Sequence, residues 1–240
     1  MKPPLRVHIC PVGFEVLRVT EPLLRMRADK AYLVSYKFGD AAASYLTRIK
    51  STLLDGYKHI QLVEEYLDLW DLFACITKFK EIVRKEEGNL VYVNVSTGTK
   101  VTAIAGTIVS MLTGSAPYYA RVNYGPLPVA VPPTEKVDDP FEVPVYKILA
   151  PSTSAMRILE IIEKESGSIR KKDLIAKLRK VGLIRSTGNA ELTPSAEHGR
   201  LKPHLDPLEK EWKFVTVESR GRSSIVKLTD QGRTALKVFS

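Results

Sequence analysis

Residues 89–112 read NLVYVNVSTGTKVTAIAGTIVSML. The first seven form an apolar, β-branched run without polar alternation, which predicts a strand covered on both faces. The last twelve are small and apolar at helical spacing. Five residues, Ser96-Thr97-Gly98-Thr99-Lys100, separate the two patterns. A buried strand that turns so abruptly into a helix is half of a βαβ unit. Ala103, Ala105 and Gly106 are small enough to let that helix lie close to its sheet.

Outward from this stretch the alternation repeats. The pattern predicts a first strand over 5–13 that ends at Gly13, then a helix over 14–28 interrupted by Pro22. A second strand over 30–36 precedes a helix over 40–58 begun by Asp40. A third strand over 59–66 precedes an amphipathic helix over 68–88 stopped by Gly88. Gly114 ends the fourth helix, and a fifth strand follows over 116–124. Strands joined by helices of this length pair in parallel through right-handed crossovers. The expected fold is α/β, a doubly wound, mostly parallel, Rossmann-like sheet, whose ligands sit beyond the carboxyl ends of its strands. Six prolines within 125–144 exclude a helix or central strand there. That segment is expected to be a linker or an edge element closing a first domain, residues 1–150.

Residues 151–240 form a second expected domain. Helical patterns over 153–166, 168–183 and 200–212 precede two β-prone runs, 214–219 and 223–229, and a last helix over 229–239. Three helices, a hairpin and a helix make the order of a winged helix-turn-helix. The chain carries a formal net charge of +9, and residues 151–240 hold 18 Lys/Arg against 11 Asp/Glu, a net of +7. The asymmetry points to an anionic partner, with double-stranded DNA expected. The candidate contacts are Arg170, Lys171 and Lys172 at the start of the second helix and Arg200, Lys202 and His204 on the third. Arg220 and Arg222 flank the wing turn, where arginines suit phosphate or a narrow minor groove. Pro203 and Pro207 disturb the third helix, and a solvated basic surface is the alternative.

The Ser96–Lys100 turn has the parts of an anion cradle. A helix N-terminus supplies unpaired N–H groups and partial positive charge, the three hydroxyls add donors, and Lys100 adds a full charge. A well-capped helix with no ligand remains the other reading. Pro11, Val12, Gly13 and Phe14 leave the first strand at the same sheet edge. Phe14 either stacks on a base or belongs to the core, and Arg18, one turn on, either reaches a phosphate or is solvated. Neither a P-loop nor Gly-x-Gly-x-x-Gly occurs. Hydrophobic content is 44%, no apolar run approaches membrane-spanning length, and the N-terminus lacks a signal-peptide pattern. Two cysteines, Cys10 and Cys75, have no metal spacing. A cytoplasmic protein with reduced thiols, no metal, no cofactor and no membrane partner is expected.

Taken together, the Pro-x-Gly-Phe exit, the Ser/Thr-Gly-Thr-Lys turn and the terminal winged helix resemble the archaeal CRISPR-associated regulators, which join a CARF domain to a winged helix-turn-helix. The resemblance implies a ligand-responsive, DNA-binding transcription regulator. It also implies a homodimer that binds cyclic oligoadenylate, with cyclic tetra-adenylate the expected ring, across its two-fold axis. Its ligand residues map onto Pro11 to Phe14 and Ser96 to Lys100. The alternative is a ring-nuclease-type enzyme that cleaves the bound ring, with Lys100 and Ser96 as candidates. A ribonuclease motif is not supported, since Arg200 and His204 are too closely spaced, and a scaffold role for the second domain is the remaining contrast.

Overall fold

The computed structural model describes residues 3–37, 42–57, 59–123, 136–184, 194–220 and 223–239, and its contacts group into two compact units, 1–149 and 150–240. The first unit runs β1 (Arg6–Pro11), α1 (Leu17–Arg25), β2 (Lys30–Tyr36), α2 (Ala43–Gly56), β3 (Gln61–Leu67), α3 (Leu72–Lys85), β4 (Leu90–Asn94), α4 (Lys100–Thr113), β5 (Ala116–Tyr119), β6 (Val122–Asn123), β7 (Lys136–Val137) and β8 (Phe141–Glu142). The six-stranded sheet has the order β3-β2-β1-β4-β5-β8, parallel through β5 and antiparallel at β8. This is the mostly parallel, Rossmann-like α/β sheet that the alternation predicted. The continuous apolar runs of β1 and β2 occupy central positions and are almost wholly buried. By contrast, β3 lies at the edge and carries Glu64 and Glu65, charges that discourage pairing with another chain. The proline-rich segment contributes β8, the opposite edge strand.

Local chemistry sets the helix boundaries. Asp71 caps α3 by accepting from the N–H groups of Phe73 (2.9 Å) and Ala74 (3.0 Å), so that helix starts four residues later than its periodicity suggests. Asp40, the expected cap of α2, lies outside the described residues; α2 begins after Ala42 without a side-chain cap. Pro22 sits inside α1, where it removes the N–H that would serve the Arg18 carbonyl. The Asn94 side chain replaces it, donating to that carbonyl at 2.8 Å from the last residue of β4. Pro22 therefore neither ends nor restarts the helix, because a buried amide meets the need it creates.

The expected strand over 116–124 is broken. Ala120 gives its N–H to Ser96 Oγ (2.6 Å) and its carbonyl to Arg18 Nε (2.8 Å), and thus leaves the ladder. The chain resumes as β6, which pairs with β7 in a separate two-stranded ribbon.

The second unit runs α5 (Thr153–Lys164), β9 (Ser168–Arg170), α6 (Lys171–Lys180), α7 (Pro194–Asp206) with a π-helical turn (Pro207–Glu211), β10 (Val215–Arg220), β11 (Ser223–Leu228) and α8 (Asp230–Phe239). Its antiparallel sheet has the order β10-β11-β9. Residues 168–170 thus correct the expected helix start: Ile169 lies opposite Val226, and this pairing claims the segment. Leu201, Leu205 and Leu208 keep one face on a core shared with Leu159, Ile162, Leu174 and Leu178. Neither proline stops α7. Pro203 is exposed within it, and Pro207 opens the wider turn, which is closed by Trp212 N–H to the Pro207 carbonyl at 3.0 Å.

Candidate functional site

The strand order reverses between β1 and β4, and the carboxyl ends of strands at such a switch point are where doubly wound sheets take their ligands. The Gly13 and Gly98 backbones meet there. Gly98 has φ +79°, and a Cβ on it would lie 2.6 Å from Pro11 Cβ and from Thr102 Oγ1. A Cβ on Gly13 would lie 3.0 Å from the Gly98 nitrogen. Only residues without side chains allow this approach. Thr97 Oγ1 pins the junction by donating to the Pro11 carbonyl at 2.6 Å, and Val12 is buried with its N–H on the Val34 carbonyl.

The three hydroxyls of the turn are not equivalent. Thr97 has given its proton to Pro11. Thr99 donates to the Leu69 carbonyl (2.8 Å) and accepts from Thr102 N–H (3.1 Å) as the helix cap. Thr102 Oγ1 completes a capping box by accepting from Thr99 N–H at 3.0 Å. Ser96 Oγ accepts from Ala120 N–H, and among the described residues its own proton has no acceptor. The expectation of three hydroxyl donors therefore reduces to one. Among the described residues, the N–H groups of Thr97, Gly98, Lys100 and Val101 also have no partner. Lys100 is exposed in the first turn of α4. Residues 96–101 thus carry four amides, one hydroxyl and one ammonium without partners among the described residues, the groups that an oxyanion would need.

Phe14 is 62% exposed, with its ring edge-on to Tyr45 at 5.6 Å, and so is not core. Arg18 is neither solvated nor free. It is buried, bonded to the Ala120 carbonyl and to Glu15 (2.9 Å), and stacked over Tyr119 at 4.9 Å. Its guanidinium is thus committed to Ala120, Glu15 and Tyr119. Asn94, unremarked in the sequence reading, ties these parts together: its amide serves Arg18 and its carbonyl oxygen accepts from Ser96 N–H at 2.8 Å. An Asn within VYVNV is the signal that marks a buried, doubly committed amide. No sequence signal marks Leu69, whose carbonyl is reached through the fold.

His8 lies inside β1, stacked on Tyr92 and 3.3 Å from the Tyr118 hydroxyl. Burial drives its pKa down to about 3, with Arg6 adding to the effect. Burial likewise pushes the Cys10 thiol up to about 12 and Cys75 up to about 11. Among the described residues no group of His, Cys, Asp and Glu could hold a metal, and no helix is long and apolar enough to cross a membrane.

In the second unit, the Asp206 carboxyl on α7 is held below the ordinary range by a hydrogen bond from Lys210 (2.9 Å), with further pull from Lys202 and from Lys171 of α6. Lys171 and Lys202 therefore act on the same carboxylate; Lys172 and Lys202 are exposed, and His204 is half-buried. Arg170 departs from expectation. It ends β9 rather than beginning a helix, and its guanidinium pairs with Asp173 at 2.6 Å. Arg200 lies on α7. Arg220 ends β10 with its side chain outside the described set, and Arg222 is outside it altogether.

The chain thus has a two-part architecture, a Rossmann-like α/β domain followed by a winged helix. Residues 6–124 match the HFX_2341_N-like N-terminal family, and residues 154–240 match the DUF6293 C-terminal winged helix domain. An uncharacterized protein of Archaeoglobus fulgidus is 26% identical over 212 residues, 88% of this chain and 86% of its own length. One from Methanocaldococcus jannaschii is 27% identical over 233 residues, 92% of this chain and 66% of its own length. Among solved structures, Can2 from Sulfobacillus thermosulfidooxidans in complex with cyclic tetra-adenylate aligns with 97% of this chain and 63% of that one, at 11% identity and TM-score 0.43. Enterococcus italicus Csm6 bound to cyclic hexa-2'-fluoro-hexa-dAMP aligns with 87% of this chain and 56% of that one, at 10% identity and TM-score 0.46. The chain spans less than two thirds of the length of the M. jannaschii relative and of both solved proteins.

Proposed function

We propose that this protein is a nucleotide-responsive, DNA-binding transcription regulator of the CRISPR-associated CARF type, acting in an archaeal cytoplasm as a homodimer. Its first unit senses a cyclic oligoadenylate, with cyclic tetra-adenylate the favoured ring, and its second unit binds double-stranded DNA. The observation that carries the reading is the junction of Gly13 with Gly98, which presents unpaired amides, the Ser96 hydroxyl and Lys100 at the switch point of the sheet. Phosphate oxygens suit that set of donors. Exposed Phe14 offers a face for a base, and Lys171 and Lys202 around Asp206, with exposed Lys172, suit the duplex backbone. The ligand acts to the extent that it binds one of two conformations more tightly.

Cleavage of the ring would fall to Ser96, the one hydroxyl of the turn whose proton has no acceptor among the described residues, and to Lys100. Sensing without cleavage is the favoured reading because burial keeps His8 within β1, where it cannot serve that hydroxyl as a base. The test is a mobility shift of duplex DNA from the protein's own upstream region, with and without cyclic tetra-adenylate. Affinity is expected to change on addition of the ring, and Lys100→Ala is expected to abolish that change. Unaltered DNA affinity at saturating ring removes the sensor, and linear products from labelled ring establish the enzyme instead.

A further inference from the structure

The loop between β3 and α3 crosses toward the crevice, where the buried Leu69 gives its carbonyl to the Thr99 hydroxyl at the cap of α4. The next residue, Trp70, is 68% exposed, the most exposed of the large apolar side chains among the described residues of 3–123. Its backbone is held firmly. Trp70 N–H donates to Asp68 Oδ1 (3.0 Å), Asp71 N–H to the Asp68 carbonyl (3.2 Å), and Asp71 caps α3. Among the described residues the indole makes no ring contact. A large, mostly exposed aromatic on a rigid turn, one residue from the Leu69 carbonyl that the Thr99 cap engages, invites a planar partner. Phe14 is a second exposed aromatic, on the loop after β1 and against Tyr45 of α2. Trp70 precedes α3, which packs with α4. The two rings belong to loops that approach the donors of residues 96–101 from different helices.

We propose that Trp70 is a stacking platform for a purine base of the nucleotide whose phosphate is taken by the Lys100 turn. This deepens the sensor reading and rests on it. The turn recognises a phosphate of any nucleotide, whereas a flat indole beside it favours purines, which have the larger π-face. Trp70 is then the residue that makes the site selective for adenylates over inorganic phosphate or pyrimidine nucleotides.

The chain has two tryptophans, so Trp212→Phe in the full-length protein leaves Trp70 as the sole indole reporter. Titration with cyclic tetra-adenylate is expected to quench its emission in step with binding measured by calorimetry. Trp70→Ala is expected to weaken binding roughly five- to a hundredfold, the range for loss of one base–aromatic stack. Trp70→Phe should retain most of the affinity, and Trp70→Ala should bind inorganic phosphate as the unsubstituted protein does. Calorimetric binding with unchanged Trp70 emission and full affinity in Trp70→Ala overturns the platform and leaves the sensor standing. A Trp70→Ala variant that changes oligomeric state by light scattering, with full affinity for the ring, also overturns it and makes Trp70 a protein contact. Absence of any nucleotide heat in the unsubstituted protein overturns both. Should the alanine variant not fold, the emission titration and Trp70→Phe still decide.

Discussion

Asn94→Leu tests whether one buried amide holds the crevice together. In the folded protein Asn94 is fully buried, donates to the Arg18 carbonyl at 2.8 Å and accepts from Ser96 N–H at 2.8 Å. Pro22 denies that carbonyl its usual helical donor. Leucine has the same branched shape and the same number of side-chain heavy atoms but can do neither job, leaving one acceptor and one donor without partners. Each orphaned group costs about 1–3 kcal/mol, and added apolar burial returns about 1 kcal/mol. The expected net loss is about 1–5 kcal/mol, which for a unit of this size lowers Tm by roughly 2–20 °C. Chemical and thermal denaturation of both proteins, followed by circular dichroism, measure it. A loss under about 0.5 kcal/mol refutes the reasoning, since it would mean that water or another group already serves Arg18 and Ser96. Asn94→Asp makes the case sharper: it keeps an acceptor for Ser96 but has no donor for Arg18, and it adds a buried charge.

Other outcomes follow from the same structure. Gly98→Ala combines left-handed strain with the 2.6 Å approach to Pro11, whereas Gly114→Ala, at φ +80° in open space, carries the strain alone. Denaturation should show Gly114→Ala costing about 1–2 kcal/mol and Gly98→Ala clearly more; equal losses refute the close approach. His8 has a folded pKa of about 3 against an ordinary 6.5, so the unfolded chain takes up a proton that the folded chain refuses. Its contribution is intact above pH 6.5 and falls as pH drops toward 3, by about 1.4 kcal/mol per pH unit. His8→Phe should flatten that part of the stability–pH curve. Cys10 and Cys75, both buried with raised pKa values, should react with a disulfide reagent at pH 8 only as the protein unfolds; fast labelling of the native protein contradicts the burial. Asp206 sets a carboxylate among Lys210, Lys202 and Lys171, so Asp206→Asn should tighten duplex DNA binding at low salt, with the gain vanishing at high salt. Unchanged binding places the DNA elsewhere.

The linear sequence determined a good deal by itself. Runs such as RVHICP and LVYVN can satisfy their apolar faces only between two layers of helix, and the spacing of the helices leaves parallel pairing as the arrangement. The order of patterns after residue 150 was enough for a winged helix, and the Ser-Thr-Gly-Thr-Lys turn was legible as a helix start with a charge on it. Local signals of this kind depend on residues close together in the chain, and their physics is read directly. Other features were settled only when distant residues met. Which hydroxyls of the turn keep a proton depends on Pro11 and Leu69, far away in sequence. Arg18 was ambiguous until Ala120 and Tyr119 enclosed it, and Phe14 until the fold left it in solvent. Three residues, Ser168 to Arg170, are too few for a periodic pattern and became a strand because β11 offered an unpaired edge. Hydrogen-bond partners and burial are properties of through-space neighbours, and only the folded chain assigns them.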